Sequence, residues 1–378
     1  MPKKLVHAKK YDSNRFKLLC CPLALTIAIR VMGATWIHQV LSQNGAFRTP
    51  WMDSNPNLIP AAWNWLWLFN AWDSLQFPRI AMYGYVHPNY VYLPGYPILI
   101  FLAGSLTGDF WFGAFLIAQI FALASIVVFQ LLAEHYMQPK EALYASLLMA
   151  TFPFVSVFTT LSYSEPVFMF FTISSWYLYK KGKIGLSSLM AGVASVTRIY
   201  GAAIILPMLL DMVRLKRYRK LPFLIIPIVF LCSWFVFCYF SSGDPFASWT
   251  DEKYWQKGEL GEGFKIILAG VSSGIGGILS CCAGIDPTIF WSLALFVILI
   301  VMTWQIDRPL WIYSAALSIV LVFTTSYYVS LLRFLAFIFP IWLSIRVKSP
   351  WVVTVCLCAL LPMIIIVWLY AIAVSFVG

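Results

Sequence analysis

Five ionisable residues, spread widely along the chain, are the first candidates for chemistry. They are Asp73, Glu165, Arg198, Asp244 and Arg333. Carboxylates exchange protons, and arginines bind anions through charge-assisted hydrogen bonds. Charged groups near hydrocarbon are costly to bury and are functional candidates by default. The topology inferred below puts all five on one membrane face, and this convergence favours a shared site.

Each candidate also has an ordinary structural explanation. Asp73 with Gln76 three residues later fits a capping box at the start of a short surface helix. Glu165 stands where any helix could begin, and the two arginines could snorkel to lipid headgroups from the ends of spans. Asp244, within Gly-Asp-Pro, suits a turn. These alternatives stay open for each residue taken alone.

The elements that must hold these residues are membrane helices. Of the 378 residues, 61% are hydrophobic and only 11% are charged, whereas a soluble domain carries about 25% charged residues. Apolar stretches of roughly 18 or more residues, long enough to cross the hydrocarbon, recur from end to end. The sequence therefore predicts an all-α polytopic membrane protein of a single domain, residues 1–378, with roughly ten to twelve membrane segments.

The charge pattern argues against nucleic acid as a partner. The net charge is +11, but fourteen of the 26 basic residues lie in three clusters, within the tail 1–17 and at 180–183 and 214–220. Basic clusters beside spans mark cytoplasmic loops. The eight cysteines lie in apolar segments and show no metal-ligand spacing with histidine. No clustered set of carboxylates and histidines suggests a tightly bound metal either, so we expect no metal, and we assign no cofactor.

This orientation signal predicts the path of the chain. The segment 18–41 is a retained span that leads to an outer loop, 42–92, in which the Trp-rich stretch 59–70 lies along the surface. Residues 184–213 go out and return as two half-length helices with Arg198 at the turn, and 242–286 form a second outer region. The other apolar segments are 93–106, 110–133, 142–159, 166–180, 221–241, 287–304, 309–328, 332–346 and 350–377. The short segment 93–106 is the one expected not to cross fully.

A spaced pattern around Asp73 resembles a known family. Residues 72–85 read W-D-S-x-x-F-x-x-I-A-x-x-G-Y, and P-G-Y-P follows at 94–97. The pattern resembles the outer loop of GT-C glycosyltransferases and is most similar to the GPI mannosyltransferase II family and its prokaryotic relatives. Further matches are Tyr163-Ser164-Glu165, Thr197-Arg198 with Gly201, Gly243-Asp244-Pro245 with Trp255, and Arg333-Phe334 before Pro340. Gln76 departs from the family, which commonly has His or another aromatic residue before the Phe.

The resemblance implies a reaction and a role for each residue. Members of this family move a sugar from a polyprenyl-phosphate carrier to a hydroxyl of a lipid-linked or membrane acceptor, with inversion. Asp73 is then the general base, and Arg333 or Arg198 stabilises the leaving phosphate. Asp244 or Glu165 is assigned to the acceptor hydroxyls. The remaining substrate-binding candidates are Trp72, Gln76 and Tyr96.

The main alternative from another functional class is a secondary transporter or lipid-carrier flippase. Transporters place polar groups near the bilayer midplane on broken helices, often in related halves, whereas this chain gathers its acids in outer loops. A non-catalytic subunit is disfavoured because Asp73 and Arg333 are both present. Expected partners are a lipid-linked donor, a lipid or glycolipid acceptor and a small membrane subunit. We expect a prokaryotic cell membrane, or the ER membrane in a eukaryote, with the site on the extracytoplasmic face.

Overall fold

A computed structural model describes residues 2–43, 65–66, 68–70, 72–255, 287–324 and 328–374. Within these ranges the secondary structure is helical and contains no β-strand. The predicted all-α fold is therefore confirmed.

Sixteen α-helices occur in the described ranges. They are α1 (Pro2–Gln43), α2 (Gln76–Tyr83), α3 (Gly95–Thr107), α4 (Phe110–Ala133), α5 (Pro139–Thr151), α6 (Pro153–Thr160), α7 (Glu165–Lys180), α8 (Ile184–Thr197), α9 (Ile205–Arg214), α10 (Ile225–Ser242), α11 (Ala247–Trp255), α12 (Pro287–Thr303), α13 (Arg308–Thr324), α14 (Tyr328–Ala336), α15 (Pro340–Leu343) and α16 (Pro350–Val374). Short 3₁₀ helices occupy Trp72–Leu75, Asn89–Val91, Ile199–Ile204 and Tyr218–Leu224.

Four helical stretches of the described chain are long and apolar enough to cross a membrane. They are Leu18–Val40, Phe110–Ala133, Tyr218–Ser242 and Pro350–Ile372, and the bent pair α5–α6 adds a fifth if it forms one span. Shorter apolar helices lie at Gly95–Thr107, Ile184–Thr197, Leu293–Thr303 and Arg308–Thr324. These helices confirm a polytopic membrane protein built from full-length spans together with half-length segments.

The chain divides into two compact units. The first comprises Met1–Tyr83, Tyr96–Ile173 and Arg346–Gly378, and the second comprises Gly84–Gly95 and Ser174–Ile345. In the first unit, α1 packs against α4, α5 and α16. In the second, α8 packs mainly against α10, and α9 packs against α13. The organisation as one membrane domain stays a prediction.

Two apolar segments that the sequence suggests are single spans are broken by proline. The segment 142–159 ends its first helix at Thr151, and α6 begins at Pro153 after a bend of 66°. Phe152 between them is extended, with ψ of 127°, as the residue before a proline prefers. Pro153 has no N–H to continue the ladder and suits the first position of a new helix.

The predicted span 332–346 is wrong as a single helix. Helix α14 ends at Ala336, and α15 begins only at Pro340. Because Pro340 lacks an N–H, it cannot bond the Ala336 carbonyl four residues back. The indole N–H of Trp342 donates to that carbonyl instead, at 2.8 Å.

Local signals explain where other helices begin. The Asp109 carboxylate accepts the backbone N–H groups of Trp111 and Phe112 at 2.8 and 2.9 Å, and α4 starts at the next residue. Helix α5 begins with Pro139 at its first position and Glu141 two residues later. Both patterns satisfy or remove the backbone donors that a helix start leaves unpaired.

Candidate active site

Asp73 lies in a tight turn of the first unit. It is the second residue of the 3₁₀ helix Trp72–Leu75, and α2 begins only at Gln76. The sequence predicts that a surface helix starts at Asp73. The structure has a tighter 3₁₀ turn there instead, and the α-helix starts three residues later. Asp73 and Gln76 are half-buried, whereas the intervening Ser74 and Leu75 are buried. This burial pattern anchors the turn and leaves the carboxylate partly accessible.

The residue before Asp73 has an unusual backbone conformation. Trp72 has a φ of 52°, in the left-handed region that a bulky side chain rarely adopts. Residues held in such conformations cluster at functional sites, because only the surrounding structure can maintain them. The Trp-Asp pair of the motif is therefore a strained turn.

Tyr96 is a buried contact of the Asp73 segment. Its ring lies 5.0 Å from that of Phe77 in a T-shaped arrangement, and its hydroxyl donates to the Ala114 carbonyl at 2.8 Å. Tyr96 is fully buried, and the Glu165 carboxylate lies within electrostatic range of its hydroxyl. Tyr96 therefore ties α2 to α4 and lies close to a second acid.

The first unit brings the Tyr163-Ser164-Glu165 turn to the chain before Asp73. The backbone N–H of Ser162 donates to the Phe69 carbonyl at 2.7 Å. Glu165 is only 1% exposed and starts α7, where the helix dipole favours a negative charge. Asp73 and Glu165 thus belong to two neighbouring segments of one unit.

In the second unit, Arg198 follows α8 at a sharp turn. Arg198 is extended, with φ of −146°, and its carbonyl accepts the Gly201 N–H at 2.7 Å. A side chain at Gly201 would collide with the Ala194 carbonyl, and one at Gly95 would collide with Thr197. Two glycines of the motifs therefore allow the close packing that fixes this turn. The predicted pair of half-length helices flanking Arg198 is confirmed.

The two arginines assigned to phosphate lie close together. The Cζ atom of Arg198 lies 4.7 Å from the centre of the Phe334 ring, and the Cζ atom of Arg333 lies 4.6 Å from the same centre. Arg333 is 4% exposed and Arg198 is half-buried. Cations over an aromatic face are attracted by its quadrupole. One ring thus holds two guanidinium groups whose charges repel each other, an arrangement suited to an anion.

Asp244 serves a local turn. Its Oδ1 accepts the Phe246 N–H at 2.8 Å, and its Oδ2 accepts the Thr250 hydroxyl at 2.8 Å. This geometry supports the turn alternative that the sequence left open. The acceptor-binding role of Asp244 stays a prediction. Residues 256–286 of the second outer region lie outside the described residues, as does most of the predicted surface segment 59–70.

A His–Asp pair in the second unit is missed by sequence reasoning. The Nδ1 atom of His87 lies 2.7 Å from Oδ1 of Asp251, and Oδ2 of Asp251 accepts the Tyr90 N–H at 2.8 Å. Asp251 is 3% exposed, whereas the His87 side chain is 55% exposed. The two residues are 164 positions apart, so no local motif could have joined them.

An aromatic cluster supports the loop that carries His87. Tyr85 stacks on Tyr90 at 5.5 Å and contacts Trp234 at 5.0 Å. Burial raises the pKa of the Tyr85 hydroxyl well above its ordinary value, and nearby Cys238 and Tyr90 raise it further. The protonated hydroxyl donates to the Tyr92 carbonyl at 2.8 Å. Tyr85, at the end of the first motif, therefore has a structural role in this unit.

The chain matches a family of known proteins in sequence and is similar in fold to solved structures. Residues 15–240 match the family model described as "Mannosyltransferase (PIG-V)", a range that contains Asp73, Glu165 and Arg198. No curated protein matches the chain significantly. Among solved structures, ArnT from Cupriavidus metallidurans bound to undecaprenyl phosphate is similar at 15% identity and a TM-score of 0.48, over 74% of this chain and 57% of that one. The apo form of ArnT is similar at 12% identity and 0.48, over 82% and 73%. The chain thus spans little more than half the length of the first of these structures.

Proposed function

The chain belongs to the PIG-V mannosyltransferase family, and from this premise we propose that it transfers mannose from a polyprenyl-phosphate carrier to a lipid-linked or membrane acceptor. The observation that carries the proposal is the family match over residues 15–240. The shared ring of Arg198 and Arg333 supports a phosphate-bearing donor, because guanidinium groups recognise phosphate by charge-assisted hydrogen bonds.

The proposed reaction is an inverting displacement. The acceptor oxygen forms a bond to the anomeric carbon, and the bond from that carbon to the carrier phosphate breaks. Asp73 takes the proton of the acceptor hydroxyl as this happens. The carrier leaves as a phosphomonoester with one additional negative charge, which Arg198 and Arg333 stabilise. Inversion requires the acceptor to attack from the face opposite the phosphate.

The other predicted residues take supporting roles in the proposal. Glu165 or Asp244 binds an acceptor hydroxyl. Glu165 is buried at the start of α7 and the oxygens of Asp244 serve the turn, so both are weaker candidates than Asp73 for contact with the acceptor. Trp72, Gln76 and Tyr96 shape the substrate site around Asp73. The extracytoplasmic face is proposed because the basic clusters at 180–183 and 214–220 mark the opposite side.

A donor panel tests the proposal directly. Purified protein in liposomes is given radiolabelled polyprenyl-phosphate mannose, polyprenyl-phosphate glucose or nucleotide-linked mannose, each with a lipid extract as the acceptor pool. We expect labelled sugar to move onto an acceptor lipid only when the donor is polyprenyl-phosphate mannose. Digestion of the labelled product with an anomer-specific mannosidase then reports whether the anomeric centre is inverted. Transfer from the glucose carrier alone would refute mannose. If no donor gives transfer but the protein moves the polyprenyl-phosphate carrier from one leaflet to the other, the result would favour a flippase.

A further inference from the structure

A groove in the first unit lies beside the span of α1. Its volume is about 610 Å³, and it is lined by α1, α4 and the side chains of Trp65, Leu68 and Phe69. Arg30, Ala34 and His38 follow one another at four-residue spacing along α1, so they share one face of the helix. Phe115, Gln119 and Leu123 form the matching stripe on α4.

Aromatic side chains close one end of the groove. Phe69 lies 4.7 Å from Phe115 and Trp65 lies 5.2 Å from the same ring. At the side, two other lining residues, Ile27 and Val31, are 47% and 60% exposed. Because they lie in the apolar span Leu18–Val40, the groove opens towards lipid.

Arg30 is a buried cation on the wall of this groove. It is only 6% exposed and lies well inside the span. Its Nη1 donates to the Gln119 carbonyl oxygen, and its Nη2 donates to the Thr159 hydroxyl at 2.9 Å. Both partners are uncharged, and its Nε has no hydrogen-bond partner among the described residues.

The partners of Arg30 are themselves fixed. The Gln119 amide N–H donates to the Thr160 carbonyl, and the Thr159 hydroxyl donates to Val155, at 2.8 and 2.7 Å. They orient the guanidinium but leave its charge uncompensated. An ionised side chain within a span is costly unless it meets an opposite charge or water, and such residues usually mark a binding site.

We propose that this groove binds an anionic phospholipid of the bilayer. The phosphate contacts Arg30, and an acyl chain lies along Ile27, Val31 and Leu123. A phosphodiester carries one negative charge, which matches the single guanidinium. A polyprenyl monophosphate carries up to two charges, and a zwitterionic lipid brings its own cation to the site. Arginine also pairs with phosphate through parallel hydrogen bonds, and Gln119 and Thr159 take only two of the five N–H donors of this guanidinium.

Thermal unfolding of the full chain in neutral detergent tests this site. The protein is titrated with phosphatidylglycerol, phosphatidylcholine or undecaprenyl phosphate, because a ligand of the folded state raises the melting temperature. We expect phosphatidylglycerol to stabilise the wild type most. Arg30→Gln should weaken its apparent affinity about tenfold or more, the effect of losing one charge-assisted hydrogen bond.

Two further variants keep the test decisive. Ala34→Phe fills the groove while Arg30 remains, and should lose the same preference. Arg346→Gln removes an exposed arginine of the same unit, which donates to the Tyr136 carbonyl, and should keep it. Equal stabilisation of the wild type by phosphatidylglycerol and phosphatidylcholine would overturn the proposal. So would a preference that survives in both groove variants, or a stronger response to undecaprenyl phosphate.

Discussion

Replacing Arg198 by glutamine tests whether this arginine binds the donor phosphate or only stabilises the folded protein. The positions of the two Cζ atoms over the Phe334 ring place them no more than about 9.5 Å apart. Two like charges at about 9 Å repel by roughly 2 kcal/mol when the effective dielectric constant is about 20. Arg198 is half-buried, so solvent screens part of this repulsion. A contact of a cation with an aromatic ring returns about 0.5–1 kcal/mol at such a site.

These magnitudes predict a larger effect on activity than on stability. Arg198→Gln loses the ring contact and the repulsion together, and these two terms offset each other to within about 1 kcal/mol. The variant also loses a charge-assisted hydrogen bond to the donor phosphate, worth about 1.5–3 kcal/mol. The kcat/KM for the donor should therefore fall roughly 10-fold to 100-fold.

The assay measures initial transfer rates at varied donor concentration and thermal unfolding in the same detergent. Arg219→Gln is the matched control, because Arg219 is an exposed arginine of the same unit. It should leave both quantities unchanged. A lower melting temperature for Arg198→Gln, with activity falling only as the folded fraction falls, would refute the reasoning. Full donor kcat/KM in the variant would refute it as well.

Two further predictions concern the second unit. Asp251→Ala removes the acceptor of the buried Tyr90 N–H and should lower the free energy of unfolding by about 1–3 kcal/mol; a melting temperature equal to wild type would contradict this role. Gly201→Ala should prevent folding, since its Cβ would overlap the Ala194 carbonyl. The Cβ of Gly185→Ala meets only the side chain of Phe223, at 3.2 Å, and a shift of that ring by a few tenths of an ångström accommodates it. Size-exclusion profiles of the two alanine variants decide the matter, and equally monodisperse profiles would contradict the prediction.

The sequence predicts the family and the local geometry around its motifs. The resemblance to the GPI mannosyltransferase II family is confirmed by the match of residues 15–240 to the PIG-V mannosyltransferase family. The turn at Arg198 is also as predicted, because the basic clusters at 180–183 and 214–220 require residues 184–213 to go out and return. Arg198 and Arg333, the two candidates for the donor phosphate, contact one aromatic ring, and their role in binding phosphate stays a prediction.

Other features depend on contacts that no local pattern reveals. Pro153 and Pro340 are visible in the sequence as possible helix breaks, but the length of the apolar segments around them favours continuous spans. The pairing of His87 with Asp251 joins residues far apart in the chain. Arg30 carried a signal, since it is a charge within an apolar segment, but its neutral partners Gln119 and Thr159 come from distant helices.

The central claim is that Asp73 is the base of a mannosyl transfer, and an asparagine variant tests it most directly. Asp73→Asn keeps the size and the hydrogen-bonding oxygen but cannot take a proton. Its transfer rate in liposomes is compared with wild type and with Asp109→Asn, in which asparagine can still cap α4. We predict that Asp73→Asn loses at least about 100-fold in rate at an unchanged melting temperature, whereas Asp109→Asn stays active. Wild-type transfer by Asp73→Asn would contradict the account and leave Asp73 as a turn residue only.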